Sequence, residues 1–257
     1  MKSPCLLAFW YMNTLFVGHK LIRLESVDST NKFAAKLVSL PDWVEGTAIV
    51  AEEQHGGKGR HDRTWDSEPG KNLTVSFLFK PHFLNSQQTF LLQKFSALAV
   101  ADTLKNFTGT QPRIKWPNDI YVGSKKIAGI LNGTSFQGDS FKSAIIGIGV
   151  NVNQTFFGRY NATSLKNERA QDFDLEELFG RLCEMLEKRY LQLKRSDKVI
   201  QRDYHDQLFG LGEVRMYSFR GTKKEAVLQR VDEEGNAHFL TSSGAVNCAI
   251  DDVTWIW

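Results

Sequence analysis

Apolar residues recur along the chain at the two spacings that mark regular secondary structure. Between residues 73 and 79 every second residue is apolar (Leu73, Val75, Phe77 and Phe79), which predicts a half-buried β-strand. Over residues 87–107 and 174–193 apolar residues recur every three to four positions, which predicts two long amphipathic helices. Ser29 and Thr30 are plausible N-caps of a shorter helix. Its apolar face would carry Phe33, Ala34, Leu37 and Val38.

Short apolar runs bounded by turn residues predict the remaining strands of a first domain, over residues 1–209. These runs lie at 47–52, 113–116, 119–122, 126–131 and 143–150. Residues 53–71 are polar and rich in glycine, and they predict a long loop. Because strands and helices do not alternate strictly, the pattern favours an α+β fold built on a mixed β-sheet.

The pattern changes at residue 210, where a second domain over residues 210–257 is predicted. Its five short strands are expected at 214–219, 225–231, 237–240, 245–250 and 253–257. Glycine-containing turns separate them at the spacing of a small five-stranded β-barrel. A unit of about 45 residues is marginal alone, so we expect it to pack against the first domain.

Composition limits the class of protein. With 42% hydrophobic and 24% charged residues among 257, the chain is ordinary for a globular protein and too apolar for a disordered one. The net charge of +3 is too small to indicate a nucleic-acid binder. Cys5, Cys183 and Cys248 are far apart and form no C-x-x-C pair. Neither a disulfide framework nor a zinc site is predicted, and a reducing compartment such as the cytoplasm fits best.

The apolar run over residues 5–17 loosely resembles a signal peptide but is too short to span a bilayer. Asn13 and Thr14 interrupt it, and no small-x-small cleavage site follows. We therefore expect neither secretion nor a membrane anchor. A further hypothesis is that Met12 is the true start, and sequencing the N-terminus of the native protein tests it.

Familiar nucleotide and hydrolase signatures are missing from the sequence. There is no G-x-x-x-x-G-K-[ST], H-E-x-x-H or G-x-S-x-G string. Gly147 and Gly149 begin like a dinucleotide fingerprint, but the third glycine is absent. The alternative for these two glycines is a close approach of the strand backbone to a ligand or a neighbouring element.

Two other segments combine residue types that suit an anionic ligand. In residues 54–65 three glycines stand among Lys58, Arg60 and Arg63, so backbone N–H groups and cations could meet a phosphate or a carboxylate. The alternative is a solvated loop. In residues 115–119 a Trp-Pro step follows a strand, which is typical both of a substrate cleft and of a plain strand-to-turn corner.

Taken in order, these segments resemble the biotin protein ligases from about residue 24 to 153. The motifs that carry the resemblance are Ser29-Thr30-Asn31, Gln54 with Gly57-Lys58-Gly59-Arg60 and Trp65, Lys115-Trp116-Pro117-Asn118-Asp119 with Lys126-x-Ala128-Gly129-Ile130, and Gly147-x-Gly149-x-Asn151. The resemblance implies a mixed-sheet catalytic domain of the biotin/lipoate ligase type, followed by an SH3-like C-terminal domain. It also implies adenylation of biotin with MgATP and transfer of biotin to one lysine of a biotin carboxyl carrier protein.

The resemblance assigns residues by position. Lys126, Arg60 and Asp119 match catalytic positions, with Asp119 expected to accept the proton of the incoming lysine or to organise the metal. The positions that match biotin binding are Ser29, Thr30, Asn31, Gln54, Lys58, Gly59, Arg60, Lys126, Gly147 and Gly149. The positions that match nucleotide binding are Trp65, Lys115, Asn118 and Asn151. Metal ligands are left unassigned.

The glycine-rich loop, Gly57-Lys58-Gly59-Arg60-His61-Asp62, departs from the family pattern. The usual string is G-R-G-R-R-G, whereas this chain has Lys58 at the first arginine and Asp62 at the last glycine. Lysine loses the bidentate fork of arginine, so we expect the loop to retain the adenylate less well. Only about 20 residues precede the first motif, which is too few for a DNA-binding domain; we expect no DNA partner, and either a monomer or a homodimer.

Two alternatives remain from the sequence. The first is a lipoate or octanoate ligase of the same fold, which would need an elongated apolar pocket without a polar ring. The second is a non-catalytic biotin-binding module, which would have less need of a cation at Lys126.

Overall fold

The computed structural model describes residues 13–60 and 63–256. Most of the N-terminal apolar run, including the proposed start at Met12, lies outside the described residues, as do His61 and Asp62. Among the described residues, no helix is long and apolar enough to cross a membrane.

A seven-stranded mixed sheet forms the centre of the first domain. Its strands are β1 (Leu21–Val27), β2 (Ala48–Gln54), β3 (Leu73–Phe79), β4 (Arg113–Lys115), β5 (Asp119–Val122), β6 (Lys125–Gln137) and β7 (Ser140–Val150). They lie in the order β1-β2-β3-β7-β6-β5-β4. The β1–β2 pair is parallel and the other pairs are antiparallel, so the predicted α+β fold with a mixed sheet is confirmed.

Helices cover both faces of this sheet. They are α1 (Thr30–Leu37), α2 (Thr89–Thr108), α3 (Leu165–Arg169), α4 (Leu175–Arg195) and α5 (Asp197–Asp206), with a 3₁₀ turn at Ser86–Gln88. The long α2 packs against α4, α5 and the sheet. On the opposite face, Ala34 of α1 packs in a second apolar cluster with Ile49, Leu78 and Ile145.

Strand β3 is buried at all seven positions, so the prediction of a half-buried strand was wrong. Phe77 stacks on Phe179 of α4 on one face, while Leu78 meets α1 on the other. Ser76, a polar position of the alternating pattern, is also fully buried. The spacing of the apolar residues is therefore real, but Ser76 between them is bonded to Thr30 and Asn31 inside the protein instead of facing solvent.

The C-terminal residues form a five-stranded antiparallel sheet, as the number and order of predicted strands required. It consists of β8 (Val214–Phe219), β9 (Thr222–Val231), β10 (Ala237–Thr241), β11 (Gly244–Cys248) and β12 (Val253–Trp255), in the order β11-β10-β9-β8-β12. In this order β11 and β12 are edge strands, so the sheet is consistent with an SH3-like domain without being a closed ring.

The two sheets are joined through buried polar contacts as well as apolar packing. The indole Nε1 of Trp116 donates to the Gly235 carbonyl at 2.9 Å, and Nζ of the buried Lys94 donates to the Asp232 carbonyl at 2.9 Å. The second sheet therefore packs on the first as expected, while the boundary between residues 209 and 210 stays a prediction.

Candidate functional site

A cleft of about 980 Å³ lies among the central strands, the glycine-rich segment and the residues around β12. Every residue that the resemblance assigns to catalysis, biotin binding or nucleotide binding lines it. These are Ser29, Thr30, Asn31, Gln54, Lys58, Gly59, Arg60, Trp65, Lys115, Asn118, Asp119, Lys126, Gly147, Gly149 and Asn151. The ordered motifs, which are up to about 120 residues apart in sequence, are thus brought together by the sheet.

One end of the cleft is an uncharged hydrogen-bond network at the start of α1. The backbone N–H of Thr30 donates to Oε1 of Gln54 at 2.8 Å. The hydroxyl of Ser76 lies 2.8 Å from Oγ1 of Thr30 and 2.6 Å from Oδ1 of Asn31. Nδ2 of Asn31 donates to the Leu131 carbonyl at 2.9 Å. The network holds amide and hydroxyl groups in fixed directions, as recognition of a small polar ring requires.

Ser29 occupies the N-cap position of α1, as predicted, but its side chain makes no capping hydrogen bond within the described chain. It is 3% exposed and lines the cleft. Its hydroxyl is therefore not used by the helix end and remains for a bound molecule.

Gly147 and Gly149 lie on β7 beneath two of the cleft's side chains. A Cβ at Gly147 would collide with the side-chain amide of Asn31, and a Cβ at Gly149 would collide with the indole of Trp65. These glycines let Asn31 and Trp65 lie directly against the strand, which is the close approach that their position in an apolar strand suggested.

The other end of the cleft is rich in cations. Nζ of Lys126 lies 2.6 Å from Oδ1 of Asp119 and 5.5 Å from the ring centroid of Trp65. The two residues come from adjacent strands, β6 and β5, so sheet pairing sets their separation. The carboxylate orients the ammonium, and the Lys126 side chain is still 29% exposed to the cleft.

Lys115 is a partly buried cation of the cleft. Burial lowers the pKa of its ammonium, with Lys126 and Arg63 acting in the same direction and Asp119 opposing them. Its Nζ lies 5.4 Å from the Tyr121 ring centroid and 5.5 Å from that of Trp255. An anion in this part of the cleft would therefore meet a partly desolvated ammonium, where electrostatic attraction is strong.

The glycine-rich segment is held by its own backbone. Gly59 N–H donates to the Arg63 carbonyl at 2.7 Å, and Trp65 N–H donates to the Gly57 carbonyl at 2.9 Å. Nη2 of Arg60 donates to Oδ1 of Asp251, near the C-terminal strand β12, at 2.9 Å. The proposed effect of Asp62 falls outside the described residues.

Asn118 and Asn151 both line the cleft, but their amide groups also serve the backbone. Nδ2 of Asn118 donates to the Ile130 carbonyl at 2.9 Å, and Nδ2 of Asn151 donates to the Thr163 carbonyl at 2.9 Å. Asn118 therefore ties the turn before β5 to β6, and Asn151 ties the end of β7 to the segment before α3.

Sequence reasoning missed several residues that line the cleft or support those that do. Ser76, which supports Thr30 and Asn31, was assigned only to a strand pattern, although a serine among alternating apolar residues was a usable signal. The lining also includes Arg159 and Tyr160 in the loop after β7, and Asp251 and Trp255 near the C-terminus. Nothing local in the sequence marks the last two, since only the packing of the second sheet places them there.

Among the described residues, no group of three or more His, Cys, Asp or Glu side chains could hold a metal ion. The cleft thus combines an uncharged polar end with a cationic end. This arrangement suits a molecule that has a neutral polar head, a carboxylate, and an anionic partner to react with it.

Comparison with known proteins agrees with the motifs. The biotin/lipoate A/B protein ligase family model matches residues 24–151. The bifunctional ligase/repressor BirA of Bacillus spizizenii is 32% identical over 240 residues, which cover 91% of this chain and 73% of that protein. The biotin–[acetyl-CoA-carboxylase] ligase of Mycobacterium tuberculosis is 27% identical over 75% of this chain and 72% of its own length.

Among solved structures, the biotin protein ligase of Aquifex aeolicus, in complex with biotin and ATP, has the same fold. It superposes with a TM-score of 0.77 at 28% identity, covering 92% of this chain and 98% of that chain.

Proposed function

Because the chain belongs to the biotin/lipoate A/B protein ligase family, we propose that it is an ATP-dependent biotin protein ligase. It adenylates biotin to biotinoyl-5′-AMP and transfers biotin to a lysine of a biotin carboxyl carrier protein. The observation that carries the proposal is that the network of Thr30, Asn31 and Gln54 and the cations around Lys126 line the same cleft.

The uncharged end of the cleft binds biotin. The ureido ring has two N–H donors and one carbonyl acceptor, and the hydroxyls and amides of Ser29, Thr30, Asn31 and Gln54 offer both kinds of partner. Gly147 forms the floor because it leaves room for the Asn31 amide. A ring held in this way directs the biotin carboxylate towards Lys126 and Arg60.

In the first step a biotin carboxylate oxygen attacks the α-phosphorus of ATP. The bond from that phosphorus to the bridging oxygen breaks, pyrophosphate leaves, and the mixed anhydride forms. Two anions must approach each other, so fixed cations lower the barrier. Lys126, oriented by Asp119 at 2.6 Å, is the main electrostatic catalyst, and the Arg60 guanidinium assists it.

In the second step the neutral ε-amine of the carrier lysine attacks the acyl carbon, AMP leaves, and the nitrogen loses a proton as the amide forms. Asp119 is the proposed acceptor of that proton, since its carboxylate lies at the reacting end of the cleft. The glycine-rich segment, with Lys58 and Gly59, contributes cations and N–H donors that retain the adenylate.

The nucleotide lies at the cationic end, against Trp65, Lys115, Asn118 and Asn151. Trp65 offers a flat apolar face and a buried indole N–H that has no partner among the described residues. Mg²⁺ enters with ATP as the MgATP substrate, bound mainly by phosphate oxygens and water.

A reducing, cytoplasmic setting is part of the proposal. Cys183 and Cys248 are both buried as free thiols, and burial raises the pKa of each. Such thiols behave as small apolar core residues and not as half of a disulfide.

ATP–pyrophosphate exchange with purified protein and Mg²⁺ tests the function, with biotin, lipoate and octanoate compared. Exchange that depends on biotin alone is the expected result. Exchange with lipoate or octanoate would move the protein to the rival ligase class, and biotin binding without any exchange would indicate a non-catalytic module.

A further inference from the structure

We propose that Asp251 is a positioning residue, which holds the Arg60 guanidinium at the cleft and thereby joins the glycine-rich segment to the C-terminal sheet. This inference rests on the proposed function, in which Arg60 meets the reacting anions. No motif in the sequence pointed to Asp251.

The contact joins two parts of the fold that are 191 residues apart in sequence. Nη2 of Arg60 lies 2.9 Å from Oδ1 of Asp251, and both residues line the cleft. Asp251 lies between β11 and β12, so its backbone is placed by the C-terminal sheet. The ion pair is therefore a direct physical link between the anion-binding segment and the second sheet.

The geometry leaves Arg60 able to bind a ligand at the same time. Asp251 takes one terminal nitrogen, and within the described part of the chain no other side chain is bonded to the Arg60 guanidinium. A guanidinium has five N–H donors, so Nε and Nη1 remain for a phosphate or a carboxylate. Holding one edge of the group removes part of the rotamer freedom that binding would otherwise have to remove.

The charges of the cleft also support a positioning role for Asp251. Lys126 has Asp119 as its carboxylate partner, and Arg60 has Asp251. In the absence of anionic substrate each carboxylate offsets a cation that would otherwise repel the cations around it. The two proposed electrostatic catalysts are thus each oriented by an aspartate, one from β5 and one from the turn before β12.

The neighbouring residue provides a matched control. Asp252 carries the same charge one position along, but its carboxylate pairs with Arg220 at 2.8 and 2.9 Å. Asp251→Asn and Asp252→Asn therefore remove the same charge from adjacent positions, and only the first breaks the contact with Arg60. Asp251→Glu keeps the charge and serves as the conservative rescue.

The first measurement is limited trypsin cleavage after Arg60 in ligand-free protein. The expected result is faster cleavage in Asp251→Asn than in the wild type, the Asp252→Asn control or Asp251→Glu. The second measurement is the KM for ATP and the kcat in biotin-dependent pyrophosphate exchange. Asp251→Asn is expected to lower kcat/KM for ATP by about fivefold, the upper range for a partly exposed ion pair.

Three outcomes would overturn the inference. The first is an Asp251→Asn variant that behaves like Asp252→Asn in both measurements. The second is faster cleavage with unchanged kcat/KM for ATP, because the contact would then assist neither binding nor the reaction. The third is a joint loss of kcat and melting temperature, which indicates a structural role. If the wild type catalyses no exchange, the proposed function fails, and the cleavage comparison still decides whether Asp251 holds Arg60.

Discussion

Substituting Gly147 by alanine is the sharpest test of how the uncharged end of the cleft works. An added Cβ would lie closer to the Asn31 amide than real Cβ atoms come to their neighbours, so the amide has to move. Moving it breaks two contacts, the one to the Ser76 hydroxyl at 2.6 Å and the one to the Leu131 carbonyl at 2.9 Å.

The size of the effect follows from these two bonds. Each hydrogen bond is worth about 1 kcal/mol net, so losing both destabilises the Asn31 position that binds the ring by about 2 kcal/mol. Since about 1.4 kcal/mol corresponds to tenfold in affinity, biotin should bind to Gly147→Ala about 30-fold more weakly. Isothermal titration calorimetry with biotin measures this directly, without involving ATP or the later chemistry.

Gly133→Ala is the matched control for this experiment. Gly133 lies on β6 in the same sheet, where a Cβ would meet only the Ile145 Cβ at an ordinary 3.9 Å. Its biotin affinity should equal that of the wild type. A dissociation constant for Gly147→Ala within twofold of this control would refute the claim that Asn31, supported by β7, forms part of the biotin site.

The remaining predictions concern catalysis and stability. Lys126→Ala should lower biotin-dependent exchange at least about 100-fold while leaving weaker biotin binding measurable, whereas Lys125→Ala should leave exchange unchanged. Burial lowers the pKa of Lys94 to about 8, so above that pH the unfolded chain binds more protons than the folded one and folding gains stability. In urea denaturation, the wild type should therefore gain stability relative to Lys94→Met between about pH 8 and 10, and a constant difference would contradict this. Trp116→Phe should lower the free energy of unfolding by about 2–3 kcal/mol, since the buried Gly235 carbonyl loses its donor; an unchanged denaturation midpoint would count against this reasoning.

Most of the regular elements could be predicted from local spacing, and the exceptions have physical reasons. Strand β1 was not predicted because it lies at the edge of the sheet, where all of its side chains are partly or largely exposed to solvent. Helix α5 was missed because only Ile200 and Tyr204 are buried along its length, which is too few for an amphipathic pattern to stand out. The complete burial of β3 was not predicted either, because its covering by helices on both faces depends on the whole fold.

For the functional site, the sequence by itself determined which residue types are present and in what order. The glycines at 147 and 149, the lysine at 126 and the polar group at 29–31 were readable because close backbone approach, fixed charge and ring recognition each demand particular side chains. Only the tertiary structure decided which of these groups touch. Sheet pairing places Lys126 beside Asp119. Strand β3 brings Ser76 to Asn31. The packing of the second sheet brings Asp251 to Arg60. Such contacts join residues far apart in the chain, so no local spacing encodes them, and they exist only once the sheets have formed and packed.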